Sequence, residues 1–311
     1  MGHLQVEGTL DLEQFWPAGT SDGDTARVVV KRITFNGKLT HALDHAQVRG
    51  RTCKPVLDEH HAITVRLQGI DAPELHYMPS VPKAKAKKQN ANFRQHYGRT
   101  AARALGTYLH TLGTGALKCR VVTQVSKPNE VFDTYGRFIG DLIVIGRGGK
   151  AVDINLWMAK NGWAFPTFYS SMSDSEILEL RAAADSAARR KRGIWRGYES
   201  KLCFDHALQY RDAPHAEDAG AVSMPKIFRR LALDWVGEGN TRLHAFLASA
   251  PDADRCYKTD ELLEQGVTVA RQYSLAELVA NTAVRFRPGE IVFQEAASML
   301  VDGRGMKIKG W

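Results

Sequence analysis

Cysteine is scarce and long apolar runs are missing, and each shortage excludes something. The four cysteines (Cys53, Cys119, Cys203 and Cys256) are scattered over 311 residues with no CxxC spacing. That argues against a zinc site and for reduced thiols in a cytosol-like setting. The longest apolar stretches, such as IGDLIVIG, are short and carry a charge, so no segment is expected to span a membrane. The opening residues, MGHLQVEGTLDLEQFW, have neither a basic start nor a long apolar core. No secretory signal is visible there, which points to the cytoplasm and leaves only a signal-independent route for export. No internal repeat is apparent.

What is present is the composition of a globular protein, 44% hydrophobic and 24% charged. The length suits one large domain or two ordinary ones. The formal charge of +8 is unevenly placed. Residues 201–311 hold 14 Lys and Arg against 15 Asp and Glu, whereas residues 1–200 hold 28 against 19. A basic first part beside a neutral remainder suggests that the first part meets a polyanion.

The pattern along the chain reads as strands, a helix, strands and two helices. Alternation from Leu4 and in ARVVVKRITF predicts strands. SDGDT at 21–25 is a turn. Residues 36–61 lack periodicity and read as a polar insertion that extends a hairpin. A helix is predicted from about Asn92 through YGRTAARALGTYLHTL, then strands at ALKCRVVTQV and RFIGDLIVIG. VDINLWMAKNG reads as a short helix. SDSEILELRAAADSAARRKRG reads as a longer one, capped at Ser173 or Asp174 with Glu176 in a capping box. Its basic end, Arg189–Arg192, suits the helix dipole. This is an α+β pattern around a small barrel. DAPHAEDAGAVSMP reads as linker, and the remainder mixes strand-like and short helical runs with no site signature. The expected domains are therefore 1–200, a linker at 201–225, and a smaller α/β-mixed domain of unknown fold at 226–311.

Three segments far apart in sequence carry the chemistry: DGDT at Asp22–Thr25, RLQGIDAPE at Arg66–Glu74, and DTYGR at Asp133–Arg137. In the second, Val65, Leu67 and Gly69 are expected on one strand face, with Arg66 and Gln68 on the other and Ile70 closing the strand. Asp24 and Asp71 are hard oxygen ligands suited to Ca²⁺, and a backbone carbonyl near Asp71 could add a third. Glu74 lies close enough to orient a water. Arg66 and Arg137 can grip a phosphate with forked donors. Such parts can stabilise a phosphorane-like transition state.

In order, DGDT, RLQGIDAPE, YGRTAARAL, DTYGR, DINLWMAKNGWA and AARRKRGIW resemble the staphylococcal nuclease (thermonuclease) family over about residues 10–198. The resemblance implies a five-stranded OB-like barrel with three helices and Ca²⁺-dependent hydrolysis of DNA and RNA. It also implies low sequence specificity, with 3′-phosphate and 5′-hydroxyl ends. It assigns the metal to Asp24, Asp71 and the Ala72 carbonyl, with Asp22 and Thr25 supporting them. Catalysis falls to Arg66, Glu74 and Arg137, and nucleotide contact to Tyr135. Phe168 and Tyr169 are candidates for base stacking, Tyr169 the one expected to touch substrate. Lys83, Lys85 and Lys87 belong to a basic run that either tracks the phosphate backbone or is a solvated loop. His60 and His61 read as exposed insertion residues, and Trp157, Trp163 and Trp195 as packing aromatics. The rival readings are a catalytically silent nucleic-acid-binding module and a nuclease effector used in defence or interbacterial competition. In the latter, residues 226–311 would engage a protein partner.

Overall fold

The computed structural model describes residues 2–13, 22–49, 53–88, 92–125, 127–201, 219–239, 242–281, 283–295 and 298–311. Cys203 and most of the expected linker lie outside these. The chain forms two compact units, one of residues 1–68, 105–157 and 295–311, the other of residues 69–104 and 158–294.

The first unit is a closed five-stranded β-barrel. Its strands are β1 (Gly2–Asp11), β2 (Thr25–Phe35), β3 (Ala62–Leu67), β4 (Ala116–Val125) and β5 (Phe138–Ile145). β1 pairs with both β2 and β4, β4 with β5, β5 in parallel with β3, and β3 with β2, which closes the ring. Closure leaves no bare edge and turns one residue in two inward. Leu4, Val6, Leu10, Val28, Ile63, Val65, Leu67, Val121, Phe138 and Val144 are accordingly buried. The register of β1 on β2 shifts between Glu7 and Gly8. A Cβ at Gly8 would sit 2.1 Å from the Val29 carbonyl oxygen, so this bulge needs glycine.

The insertion extends the β2 hairpin, as expected, through Lys38–Leu39 paired with Thr34 and Phe35. It then forms a second small sheet. Gln47–Arg49 pair with Cys53–Pro55 on one side and with Met299–Val301, from near the end of the chain, on the other. Trp311 stacks on Phe35 at 5.1 Å.

The second unit is built around buried Phe165, Ile194, Ile227, Leu231, Leu243, Tyr273, Ile291 and Phe293. Phe93, Phe228, Ala232 and Val236 form a second cluster. The helices of the chain include α1 (Gly98–Leu112), α2 (Ile154–Asn161), α3 (Asp174–Arg189) and α4 (Pro225–Glu238). The Ser173–Glu176 capping box of α3 forms as its sequence requires. Trp195 packs edge-on to Phe165 at 5.2 Å, and in the first unit Trp157 stacks on Tyr108 at 4.0 Å, so both act as packing aromatics. His60 and His61 are exposed.

Two local expectations are corrected. α1 begins at Gly98 rather than near Asn92, because Phe93 bridges to Tyr77 and the Gln95 N–H donates to the Glu74 carbonyl. The strand through Arg66 ends at Leu67. Gly69 turns the chain with φ +73°, and Ile70–Asp71 pair separately with Phe165–Pro166. Residues 219–294 share a core with Phe93, Phe165 and Ile194, and residues 299–301 return to the insertion. No helix among the described residues is long and apolar enough to cross a membrane.

Asn155, within the DINL motif, is fully buried and ties the barrel together. Its Oδ1 accepts from Leu142 N–H at 3.1 Å, while its two N–H donors serve the carbonyls of Gln68 (2.9 Å) and Gly140 (3.3 Å) and Asp141 Oδ1 (2.8 Å). Asn155→Ala strands these buried groups and should cost about 3 kcal/mol in urea denaturation.

Candidate functional site

The expected constellation is distributed over both units. In the first, a turn at Asp22–Thr25 brings the Asp22 carbonyl to Thr25 N–H at 3.2 Å. The Asp24 carbonyl accepts from Leu67 N–H at 2.8 Å, anchoring the turn to the end of β3. Asp24 is buried at 3% exposure. Thr25 and Arg66 are direct cross-strand partners and so share a face. Arg66 is itself buried.

Arg137 reaches the same threonine, with Nη1 3.2 Å from Thr25 Oγ1. It is held there by Asp133. One Asp133 oxygen accepts from the backbone N–H groups of Tyr135 and Arg137, both at 2.9 Å, and the other accepts from Arg137 Nε at 2.8 Å. Gly136, at φ +82°, lets the five-residue turn close. Tyr135 is exposed, with the Arg137 guanidinium 5.7 Å from its ring centre. The structure thus joins Thr25, Arg66 and Arg137, with the exposed Tyr135 ring beside the Arg137 guanidinium.

In the second unit, Asp71 is fully buried, Ala72 is buried beside it, and Glu74 is 7% exposed. The pairing of Asp71 with Phe165 follows from the Gly69 turn. A Cβ on Gly69 would lie 2.4 Å from Leu180 Cδ1. Gln95, 2% exposed, secures the next step. Its Oε1 accepts from Glu74 N–H at 3.2 Å and its Nε2 donates to the Ser223 carbonyl at 2.8 Å. The segment carrying Glu74 is thereby fastened to the residues that precede α4.

The cation on these two acids is Arg229 of α4. Nη1 and Nη2 reach the two Asp71 oxygens at 3.2 and 2.9 Å, and Nη1 also donates to Glu74 Oε1. Burial works against the guanidinium's charge. The Asp71 and Glu74 carboxylates more than offset it and hold the Arg229 pKa well above its ordinary value. Sequence reasoning missed this residue. The spacing of Ile227, Phe228, Leu231 and Trp235 marks a helix, but nothing in IFRRLALDW says which carboxylates Arg229 meets.

Other expected residues are placed as follows. Lys83 and Lys85 are exposed on a short 3-10 turn, whereas Lys87 Nζ pairs with Glu238 at 2.7 Å, and Lys88 lies 5.1 Å above the Trp235 ring. Part of the basic run is thus engaged by α4. Tyr169 packs 6.2 Å from Phe293, with the Lys226 ammonium 5.5 Å from its ring.

As metal donors, Asp24 and Asp71 are hard oxygens, chemically fitted to a hard cation such as Ca²⁺. Among the described residues, no group of three or more His, Cys, Asp or Glu side chains is arranged to hold a metal. Both Asp71 oxygens face a guanidinium instead.

Residues 64–197, under half of the chain, match the model of a family described as Staphylococcal nuclease homologue. No curated protein matches the chain.

Asp133→Ala removes the acceptor that shapes the Asp133–Arg137 turn. It should lower stability by about 2 kcal/mol in urea denaturation, with Asp133→Asn recovering part of the loss.

Proposed function

From a staphylococcal nuclease homologue domain at residues 64–197, a nuclease-type fold, we propose that the protein is a Ca²⁺-dependent phosphodiesterase. It hydrolyses DNA and RNA with low sequence specificity, leaving 3′-phosphate and 5′-hydroxyl ends. The observation that carries this reading is the retention of every acid and arginine of the motif set, in order, with Asp24, Asp71 and Glu74 buried. Buried carboxylates are costly to keep, and perturbed buried acids are concentrated at sites that do chemistry.

Asp24, Asp71 and the Ala72 carbonyl would hold the ion, with Asp22 and Thr25 behind them. A bound Ca²⁺ would supply positive charge to the phosphate as it becomes pentavalent. Glu74 directs the attacking water. Arg66 and Arg137 present forked N–H donors to the phosphate oxygens, and Asp133 keeps Arg137 aimed before substrate arrives, so little reorganisation is needed on binding. Tyr135, with its exposed ring, offers a stacking face for a base, and Lys83 and Lys85 offer charge to the flanking backbone. Contacts of this kind read phosphate and ring faces, not base edges, which supports low specificity.

One observation favours a second reading, a nucleic-acid-binding module without turnover. Arg229 already neutralises part of the charge on Asp71 and Glu74.

The test is cleavage of plasmid and single-stranded DNA by the full chain, in Ca²⁺ and in EGTA. Cleavage should require Ca²⁺. Glu74→Ala and Arg137→Ala should each lower the rate by roughly 10²–10⁴ with the circular dichroism unchanged. A salt-sensitive gel shift with no cleavage in Ca²⁺ would instead select the binding module.

A further inference from the structure

Arg229 is not a loose surface side chain that happens to touch two acids. Its helix is fixed on both flanks. Ile227 and Leu231 lie in one buried cluster, and Phe228, Ala232 and Val236 in another. The next residue, Arg230, makes a two-pronged contact with buried Asp254, and Lys226 lies 3.5 Å from the same carboxylate. On the other side of the contact, Gln95 links Glu74 N–H to the Ser223 carbonyl, two residues ahead of the helix. The backbone geometry therefore delivers a guanidinium to Asp71 and Glu74.

The geometry says what that delivery does. The Arg229 fork engages both Asp71 oxygens, the hard donors that a divalent cation would use. A divalent ion on Asp71 and the Arg229 fork on the same two oxygens would repel each other strongly in so dry a place.

We infer that Arg229 is a built-in counter-cation that competes with divalent metal for Asp71, so the α4 segment sets the metal concentration at which the site fills. The inference rests on the nuclease reading only for the identity of the ion. The guanidinium stabilises the acids while metal is scarce and must swing away for metal to enter.

The experiment is calorimetric titration of the full chain with Ca²⁺, comparing wild type, Arg229→Gln, Arg229→Lys and Arg230→Gln, each checked for fold by circular dichroism. Arg229→Gln should bind Ca²⁺ at least tenfold more tightly than wild type and gain more in melting temperature on Ca²⁺ addition. Arg229→Lys keeps the charge but loses the fork, and should fall between the two. It also serves if the glutamine variant does not fold. Arg230→Gln removes a charge from the same helix without touching Asp71, and should bind Ca²⁺ as wild type does. Equal affinity for Ca²⁺ in wild type and the Arg229 variants overturns the inference, as does an equal gain in Arg230→Gln, or no detectable binding in any of them. Cleavage assays on the same samples separate the two ideas. Absence of cleavage in Ca²⁺ by all variants counts against the nuclease reading, whereas the binding isotherms alone decide the role of Arg229.

Discussion

Two buried carboxylates cannot stand alone in a protein interior, and the second unit is organised around meeting that requirement. Asp71 is fully buried and Glu74 nearly so. Transfer of an unpaired carboxylate from water to such a place costs several kcal/mol, about 3–5 kcal/mol being typical when a partner is lost. The Arg229 guanidinium removes that cost with a fork that matches both Asp71 oxygens. Each supporting feature serves this geometry. The Gly69 turn directs Ile70–Asp71 onto Phe165–Pro166, Gln95 fastens Glu74 to Ser223, and two apolar clusters seat α4. Residues 219–294 belong to the same compact unit as residues 69–104, where they share two apolar clusters and the Arg229 ion pairs.

The barrel solves a different problem. Closure satisfies every strand's neighbours on both sides and leaves the strand ends to carry chemistry. Thr25 opens β2, Arg66 sits one residue before the end of β3, and Arg137 immediately precedes β5. A rigid ring sets these positions, and side chains finish them. Asp133 shapes the turn before β5 and orients Arg137, which reaches Thr25. Asn155 does comparable work inside, joining the ends of β3, β5 and the start of α2 through one buried amide. Asp133 and Asn155 thus hold the frame through hydrogen bonds to the backbone, which contiguous sequence alone does not reveal.

The two functional readings differ in what Arg229 is for. In a binding module it would be a permanent structural charge that keeps two ancestral acids tolerable. In an enzyme it would be a movable one, since a hard cation and a guanidinium compete for the same oxygens. Both readings share the barrel, the arginine pair and the nucleic-acid substrate class that the family match implies. They part at Asp71 and Glu74, the two acids that Arg229 engages.

The sequence by itself determined whatever is written in local periodicity and contiguous motifs. The capping box at Ser173 and the DTYGR turn needed no tertiary information, because near neighbours in the chain supply their hydrogen bonds, and the strands β1 and β2 were legible in their apolar alternation although their ladder partners lie far away in sequence. The grouping of Asp24, Arg66, Asp71, Glu74 and Arg137 is an expectation that rests on the resemblance of the contiguous motifs, not on local hydrogen bonding. Only the tertiary structure decided the start of α1 at Gly98, the pairing of residues 299–301 with the insertion, the packing of half-buried Tyr169 against Phe293, and the place of Arg229. Each depends on a partner far away in sequence. Arg229 lies 158 residues from Asp71, and no period or spacing encodes a contact at that distance. It exists because burial of two like charges demands an opposite one, and the fold brings α4 to them.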